Sequence, residues 1–194
     1  MVKKTEPLGQ HSEINYGYTA RASFDAGTHK YLRITDIQDN YVNWDCVPYC
    51  NLDEKKFSKK VLNDGDIVFA RTGATTGKSY LLEQPINAVF ASYLIRVSVD
   101  RKKFFPRYIM HYFQSKEYWQ QVKKGISGST QGGFNASKLA NLHIPIIDKA
   151  EQLKIIYRLD NLSEQSNELV EIYRKIIRQY EVLKTAILVK ELQN

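Results

Sequence analysis

Residues 66–85 read DIVFARTGATTGKSYLLEQP. The question they raise is whether this stretch is strand, loop and helix, or strand, loop and strand. A glycine, four residues and then Gly-Lys-Ser/Thr wrap backbone N–H groups around the phosphates of a nucleotide. Such a loop must open a helix whose N-terminus faces the anion. Gly77-Lys78-Ser79 supplies the end of that pattern, but Thr72 stands where its first glycine belongs, and Gly73 comes one residue too late. Tyr80-Leu81-Leu82-Glu83-Gln84-Pro85 follows without helical period and stops at a proline. The stretch therefore predicts two strands joined by a loop. Arg71, Lys78 and the hydroxyls of Thr72, Thr75, Thr76 and Ser79 still suit an anionic partner.

Working outward, a chain of 194 residues allows one ordinary domain with an appendage, or two small domains. With 43% hydrophobic and 25% charged residues the chain is globular. No apolar run approaches the ~18 residues of a membrane span, and Met1–Pro7 lacks the apolar core of a signal peptide, so a cytoplasmic location with no membrane partner is expected. Cys46 and Cys50 lie too close for a useful staple and have no histidine pair beside them, so reduced thiols and no metal site are expected. The net charge of +7 is unevenly placed. Residues 1–147 hold 20 Lys/Arg against 13 Asp/Glu, whereas residues 148–194 hold 8 of each. A basic region beside a neutral one is the electrostatic outline of nucleic-acid binding.

Tyr31–Ile37 alternates polar and apolar residues and predicts a half-buried strand. Residues 66–70, 78–82 and 88–97 are further strand candidates. Arg107–Lys124 has helical spacing, with Tyr108, Ile109, Tyr112, Phe113 and Trp119 on one broad face. Asn135 is placed to cap a short helix through Leu142. Strands and helices are mixed without strict alternation, so the expected class is α+β: a mixed α/β globular domain over residues 1–147, then a long helix over 148–194.

That last helix is the clearest signal. Asp148-Lys149-Ala150-Glu151 has capping-box spacing. From there, alternating steps of four and three reach Ile155, Leu159, Leu162, Ser166, Leu169, Tyr173, Ile176, Tyr180, Leu183 and Ile187, with no Gly or Pro between them. All but Ser166 are apolar or aromatic, and a 3.5-residue repeat held this long predicts a coiled-coil seam. Residues 149–190 make a rod of roughly 60 Å at ~1.5 Å per residue, longer than a small domain can cover, so a partner helix is expected.

In order, the chain presents YLRITDI, GDIVFARTGATTGKS, AVFASYLIRV, YIMHYFQSKEYWQQV, GSTQGGFNASKLANLHIPII and AEQLKII opening the long helix. This ordered set, from about Tyr16 to the C-terminus, resembles the DNA-specificity (S) subunit of type I restriction–modification systems. The resemblance implies a non-catalytic target-recognition domain that reads one half of a bipartite double-stranded DNA site. It implies a helix that acts as spacer and docks methyltransferase (M) subunits, with a restriction (R) subunit joining through the complex. It assigns S-adenosylmethionine and ATP to those partner subunits and no cofactor to this chain. Family members carry the unit twice. One unit here resembles either a half-length form or one half of a full-length member, and it is expected to pair as an antiparallel homodimer.

Phosphate contacts set register and side chains at base edges specify sequence. The matching loop assigns DNA contact to Arg71, Thr72, Thr75, Thr76 and Lys78. The second loop adds Ser129, Thr130 and Gln131, since Gln can take a bidentate position on adenine. Thr19, Arg21, Lys30, Arg33 and Tyr93 complete the candidates. No arrangement of nucleophile and base, no paired carboxylates and no amino-methyltransferase motif occurs in the sequence. The rival readings are a coiled-coil scaffold with an incidental basic domain and a nucleotide-dependent enzyme.

Overall fold

A computed structural model describes residues 4–38, 40–52, 60–84, 86–127 and 133–192. The chain divides into two compact units, Met1–Leu153 and Lys154–Asn194. In chain order the strands are β1 (Thr5–Pro7), β2 (Ser12–Tyr16), β3 (His29–Leu32), β4 (Ile37–Gln38), β5 (Tyr41–Val42), β6 (Tyr49–Cys50), β7 (Ile67–Ala70), β8 (Ser79–Leu81), β9 (Ala88–Phe90), β10 (Leu94–Val99) and β11 (His143–Pro145). The α-helices are α1 (Pro106–Tyr112), α2 (Lys116–Ser127), α3 (Ala136–Ala140) and α4 (Lys149–Leu192). The class is α+β with a long C-terminal helix.

The principal sheet has the order β2-β10-β7-β8 and is antiparallel throughout. Its central strands bury residues on both faces: Ile67, Val68, Phe69 and Ala70 are all buried, as are Leu94, Ile95 and Val97, with Arg96 a buried charge among them. The stretch 66–85 is thus strand, turn and strand, and β7 pairs directly with β8. A second sheet, β6-β3-β9, contains a parallel pair between β3 and β9. One core cluster gathers Leu32, Ile37, Val42, Val68, Phe90 and Leu94, so residues from both sheets share it.

Three elements differ from expectation. The strand predicted over Tyr31–Ile37 stops at Leu32 and becomes a 3-10 turn at Ile34–Asp36. There the Asp36 carboxylate accepts both the Arg33 backbone N–H (2.8 Å) and its guanidinium (2.6 Å), a local closure that a strand forbids. The strand predicted over 88–97 is two strands in two sheets, because a turn with Leu94 N–H bonded to Ala91 O (2.9 Å) interrupts it. The helix predicted over Arg107–Lys124 breaks between α1 and α2, where Ser115 Oγ accepts the Tyr118 N–H at 3.2 Å. This resets the buried face to Tyr118 and Val122, both 0% exposed. Four aromatic rings, those of Tyr112, Phe113, Tyr118 and Trp119, pack around that break.

Both sequence caps form. Asn135 Oδ1 accepts the Lys138 N–H at 2.8 Å, and Asp148 Oδ1 accepts the Glu151 N–H at 2.8 Å. The first turn of α4 belongs to the globular unit through Gln152, which is fully buried. Its Oε1 accepts the Phe105 N–H, and its Nε2 donates to Lys103 O and Ile147 O, all at 2.9–3.0 Å. A buried amide satisfied on both ends fixes the start of the helix.

The second unit is helix alone. Leu162, Leu169, Tyr173, Tyr180, Leu183 and Ile187 are each at least half exposed, and Leu159 and Ile176 more than a third. Ile155 is half-buried. Val170, Ile172 and Ile177 are exposed too, which widens the apolar surface beyond the 3.5-residue seam. Among the described residues no helix is long and apolar enough to cross a membrane.

Candidate nucleic-acid interface

The loop between β7 and β8 is closed at its neck by Ala70 N–H to Lys78 O (2.8 Å) and Gly77 N–H to Ala70 O (2.9 Å). Inside it, Gly73–Thr75 forms a 3-10 turn. Gly73 (φ 72°) and Gly77 (φ 98°) take the left-handed backbone that glycine alone adopts without strain. A Cβ on Gly77 would stand 2.6 Å from the Trp119 ring, so that glycine serves close packing against α2. The glycines here shape a hairpin rather than a phosphate cradle, and β8 stands where the cradle's helix would begin.

The hydroxyls of the loop divide. Thr72 and Thr75 are half-buried, with Thr75 Oγ1 donating to Thr72 O at 3.4 Å. Thr76, expected among the contact residues, is turned inward at 7% exposure and donates to Gly73 O at 2.8 Å. Closing the 3-10 turn consumes its hydroxyl. Ser79 is likewise buried, against Met110 Sδ at 3.6 Å. Lys78 is half-buried, and its ammonium has no partner among the described residues.

Beside this loop the fold gathers residues from distant stretches. Arg71 Nε donates to Ser92 O at 3.0 Å, and its guanidinium lies 5.1 Å from the centroid of the Tyr16 ring. Its backbone N–H bonds Tyr93 O at 3.1 Å, and its carbonyl accepts the Phe134 N–H at 2.9 Å. Thr19 Oγ1 donates to Ser92 Oγ at 3.1 Å, and Tyr93 is 57% exposed. Tyr16 ends β2; its hydroxyl accepts the Ala136 N–H at 2.9 Å and its carbonyl accepts Lys60 Nζ at 2.6 Å. Arg71, Thr19 and Tyr93 therefore share one rim with Lys60 and Tyr16, two residues that the sequence reading missed. The only local signal for Tyr16 is the alternation of Ser12-Glu13-Ile14-Asn15-Tyr16, which marks a strand and says nothing of its far contacts.

The remaining candidates lie apart. Arg21 is exposed and lines a cleft of about 320 Å³ with Tyr18, Ser23, Cys50 and Asn51. Burial pushes the Cys50 thiol up, away from the thiolate a nucleophile requires, and burial likewise raises the Tyr18 phenol. Lys30 Nζ donates to Val47 O at 2.9 Å and sits 4.0 Å over the Tyr49 ring. Arg33 forks onto Asp36, whose carboxylate raises the guanidinium above its ordinary range. Both cations, expected to face DNA, are engaged by acceptors of the fold, Lys30 by the distant Val47 carbonyl and Arg33 by Asp36 three residues on. Ser129, Thr130 and Gln131 lie outside the described residues. The flanks of their loop are drawn together by Lys138 Nζ, which donates to Gly125 O (2.7 Å) and Gly133 O (3.4 Å). Among the described residues no three His, Cys, Asp or Glu gather to hold a metal.

Residues 8–177 match the family described as type I restriction modification DNA specificity domain. Among solved structures, the chain is similar to one from work on complex assembly and conformational transition of a type I R-M system. There the TM-score is 0.68 at 18% identity, over 86% of this chain and 39% of that one. The HsdS subunit from Thermoanaerobacter tengcongensis gives 0.63 at 18% identity, over 84% and 37%. The type I S subunit from M. genitalium gives 0.58 at 16% identity, over 89% and 42%. The chain thus spans about two fifths of the length of these structures. Comparison with curated proteins finds no match.

Proposed function

The chain belongs to the type I restriction–modification DNA specificity domain family, and from that premise we propose that its globular unit reads one half of a bipartite DNA site while its helix carries the assembly. The observation that supports this most is the rim where Arg71, Thr19 and Tyr93 meet, with Thr72 and Lys78 on the same loop as Arg71. It sets uncompensated positive charge beside hydroxyls and an exposed ring, in the region that holds all of the excess positive charge. Such a surface offers phosphate contacts for register and side chains for base edges. The protein is non-catalytic in this reading. Methylation, with its S-adenosylmethionine, belongs to M subunits docked on the helix, and ATP-driven cleavage to an R subunit.

The uncovered apolar surface of α4 supports pairing with a second copy. Two identical helices packed antiparallel form an isologous interface, and each carries its globular unit on its own N-terminal end. Identical units then read inverted copies of one short sequence around an unread gap, with half-sites about one helical turn, ~34 Å, apart.

A salt titration with duplex DNA tests the proposal. Log K should fall linearly with log salt, by about 0.9 for each neutralised phosphate. Lys78→Ala should weaken binding equally on target and scrambled duplexes and flatten the slope by about one unit. Absence of duplex binding at every salt concentration, with the M subunit present, would leave the scaffold reading in its place.

A further inference from the structure

We infer that Arg71 and Tyr16 form a preoriented fork that reads guanine, with Arg71 supplying the donors and Tyr16 holding them in place. The inference rests on the reading of this chain as a DNA-recognition unit, and it separates Arg71 from its loop neighbour Lys78 in role.

The geometry leaves Arg71 one working edge. Its Nε–H is spent on Ser92 O at 3.0 Å, which fixes the plane of the guanidinium. The guanidinium carbon lies over the Tyr16 ring, 5.1 Å from its centroid. The backbone is held on both sides, by the bond to Tyr93 O and by the bond from Phe134 N–H. Among the described residues neither Nη atom has a partner, and no carboxylate pairs with the charge. Two N–H donors are thus left for a partner on a guanidinium already restrained by Ser92 and Tyr16. A guanidinium held this way loses little freedom when it binds, and it favours an acceptor pair lying in its own plane. The O6 and N7 atoms of guanine present such a pair in the major groove. A phosphate contact needs no fixed plane. Lys78, a flexible point charge without a partner among the described residues, is suited to that task on the same loop.

Tyr16 is a positioning residue in this arrangement. It ends β2, a strand paired with β10. The same side chain meets Arg71 with its ring and accepts the Ala136 N–H with its hydroxyl, so the fork is referenced to both the principal sheet and α3. Thr19 stands on the same platform through Ser92, the residue whose carbonyl holds Arg71.

Selection of duplexes from a randomised pool by the full chain, followed by sequencing, tests this. The wild type should enrich a motif with a guanine at one position of the half-site. Arg71→Lys should lower the preference for that guanine roughly ten- to a hundred-fold while leaving neighbouring positions in place. Tyr16→Leu, which removes the ring, should lower it in the same direction by less. Tyr16→Phe, which keeps the ring and loses only the bond to Ala136, should retain most of it. Replacing that guanine by 7-deazaguanine should weaken wild-type binding, and the loss should not add to that of Arg71→Lys. Thermal melting of each variant confirms that β2 still folds. If Arg71→Lys and Tyr16→Leu leave the guanine preference intact, or if Arg71→Ala weakens all sequences equally and lowers the salt slope by about one unit, this assignment falls and the recognition reading stands. A wild-type chain that enriches no motif removes the recognition reading and this assignment together.

Discussion

Arg96 and Asp66 show what a single buried charge does to this fold. Both are at most 5% exposed, and Arg96 Nη1 reaches Asp66 Oδ2 at 3.7 Å and Val61 O at 3.0 Å. Asp66 also accepts the Asn63 N–H at 2.8 Å and the Ser98 hydroxyl. Removing one partner strands the other without solvent, so Asp66→Ala should destabilise the protein by about 3–5 kcal/mol in urea denaturation. Replacing both residues by apolar ones of similar volume should recover much of that loss. Titration of buried phenols gives a second outcome. Burial pushes the Tyr108 phenol up to about 12, and it raises the Tyr118 phenol well above its ordinary value. An unfolded phenol titrates near 10. Between those values the unfolded chain has released its proton while the folded chain keeps it, so stability falls as pH rises. The melting temperature should therefore drop above about pH 10, and less steeply in Tyr108→Phe. That variant also gives up the bond from Tyr108 to Pro145 O (3.1 Å), at a cost of about 0.5–1.5 kcal/mol.

At the scale of elements, the hairpin from β7 to β8 is a turn held by its own backbone and by α2. Gly77→Ala meets two obstacles, a φ of 98° and the Trp119 ring 2.6 Å from the new Cβ. It should cost at least about 1–3 kcal/mol, visible as a lowered denaturation midpoint. ATP should not bind saturably to this loop, and equilibrium dialysis that found a site abolished by Lys78→Ala would restore the nucleotide reading. The strand–loop–strand form was legible because the missing glycine at Thr72 and the proline after Gln84 are local facts. The breaks between α1 and α2 and between β9 and β10 were not. Ser115 and the turn at 91–94 read as ordinary members of their runs, and the hydrogen bonds that close each break are not encoded by periodicity.

Over the whole molecule, positive charge and apolar surface fall in different parts of the chain, as the sequence counts required. Leu169→Lys or Ile176→Lys places a charge in the α4 seam, and each should abolish self-association in sedimentation together with specific DNA binding. In a host carrying the M subunit, methylated adenines should map to a palindromic bipartite motif. An asymmetric motif would exclude the homodimer and require a second, different specificity chain. The sequence by itself determined the α+β class, the caps at Asn135 and Asp148, the long helix with its uncovered seam and the hairpin at 66–85. All of these follow from short-range spacing, because hydrogen-bonded turns and periodic faces involve residues within a few positions of one another. Only the tertiary structure decided that β3 pairs in parallel with β9, that Thr76 faces inward, that Lys30 and Arg33 are engaged internally, and that Tyr16 lies against Arg71. The strand pair, the bond from Lys30 to Val47 O and the contact of Tyr16 with Arg71 join groups far apart in sequence, whose positions depend on how the core closes. Thr76 and Arg33 bond acceptors three residues away, and there the folded chain selects one of the local partners that the sequence offers.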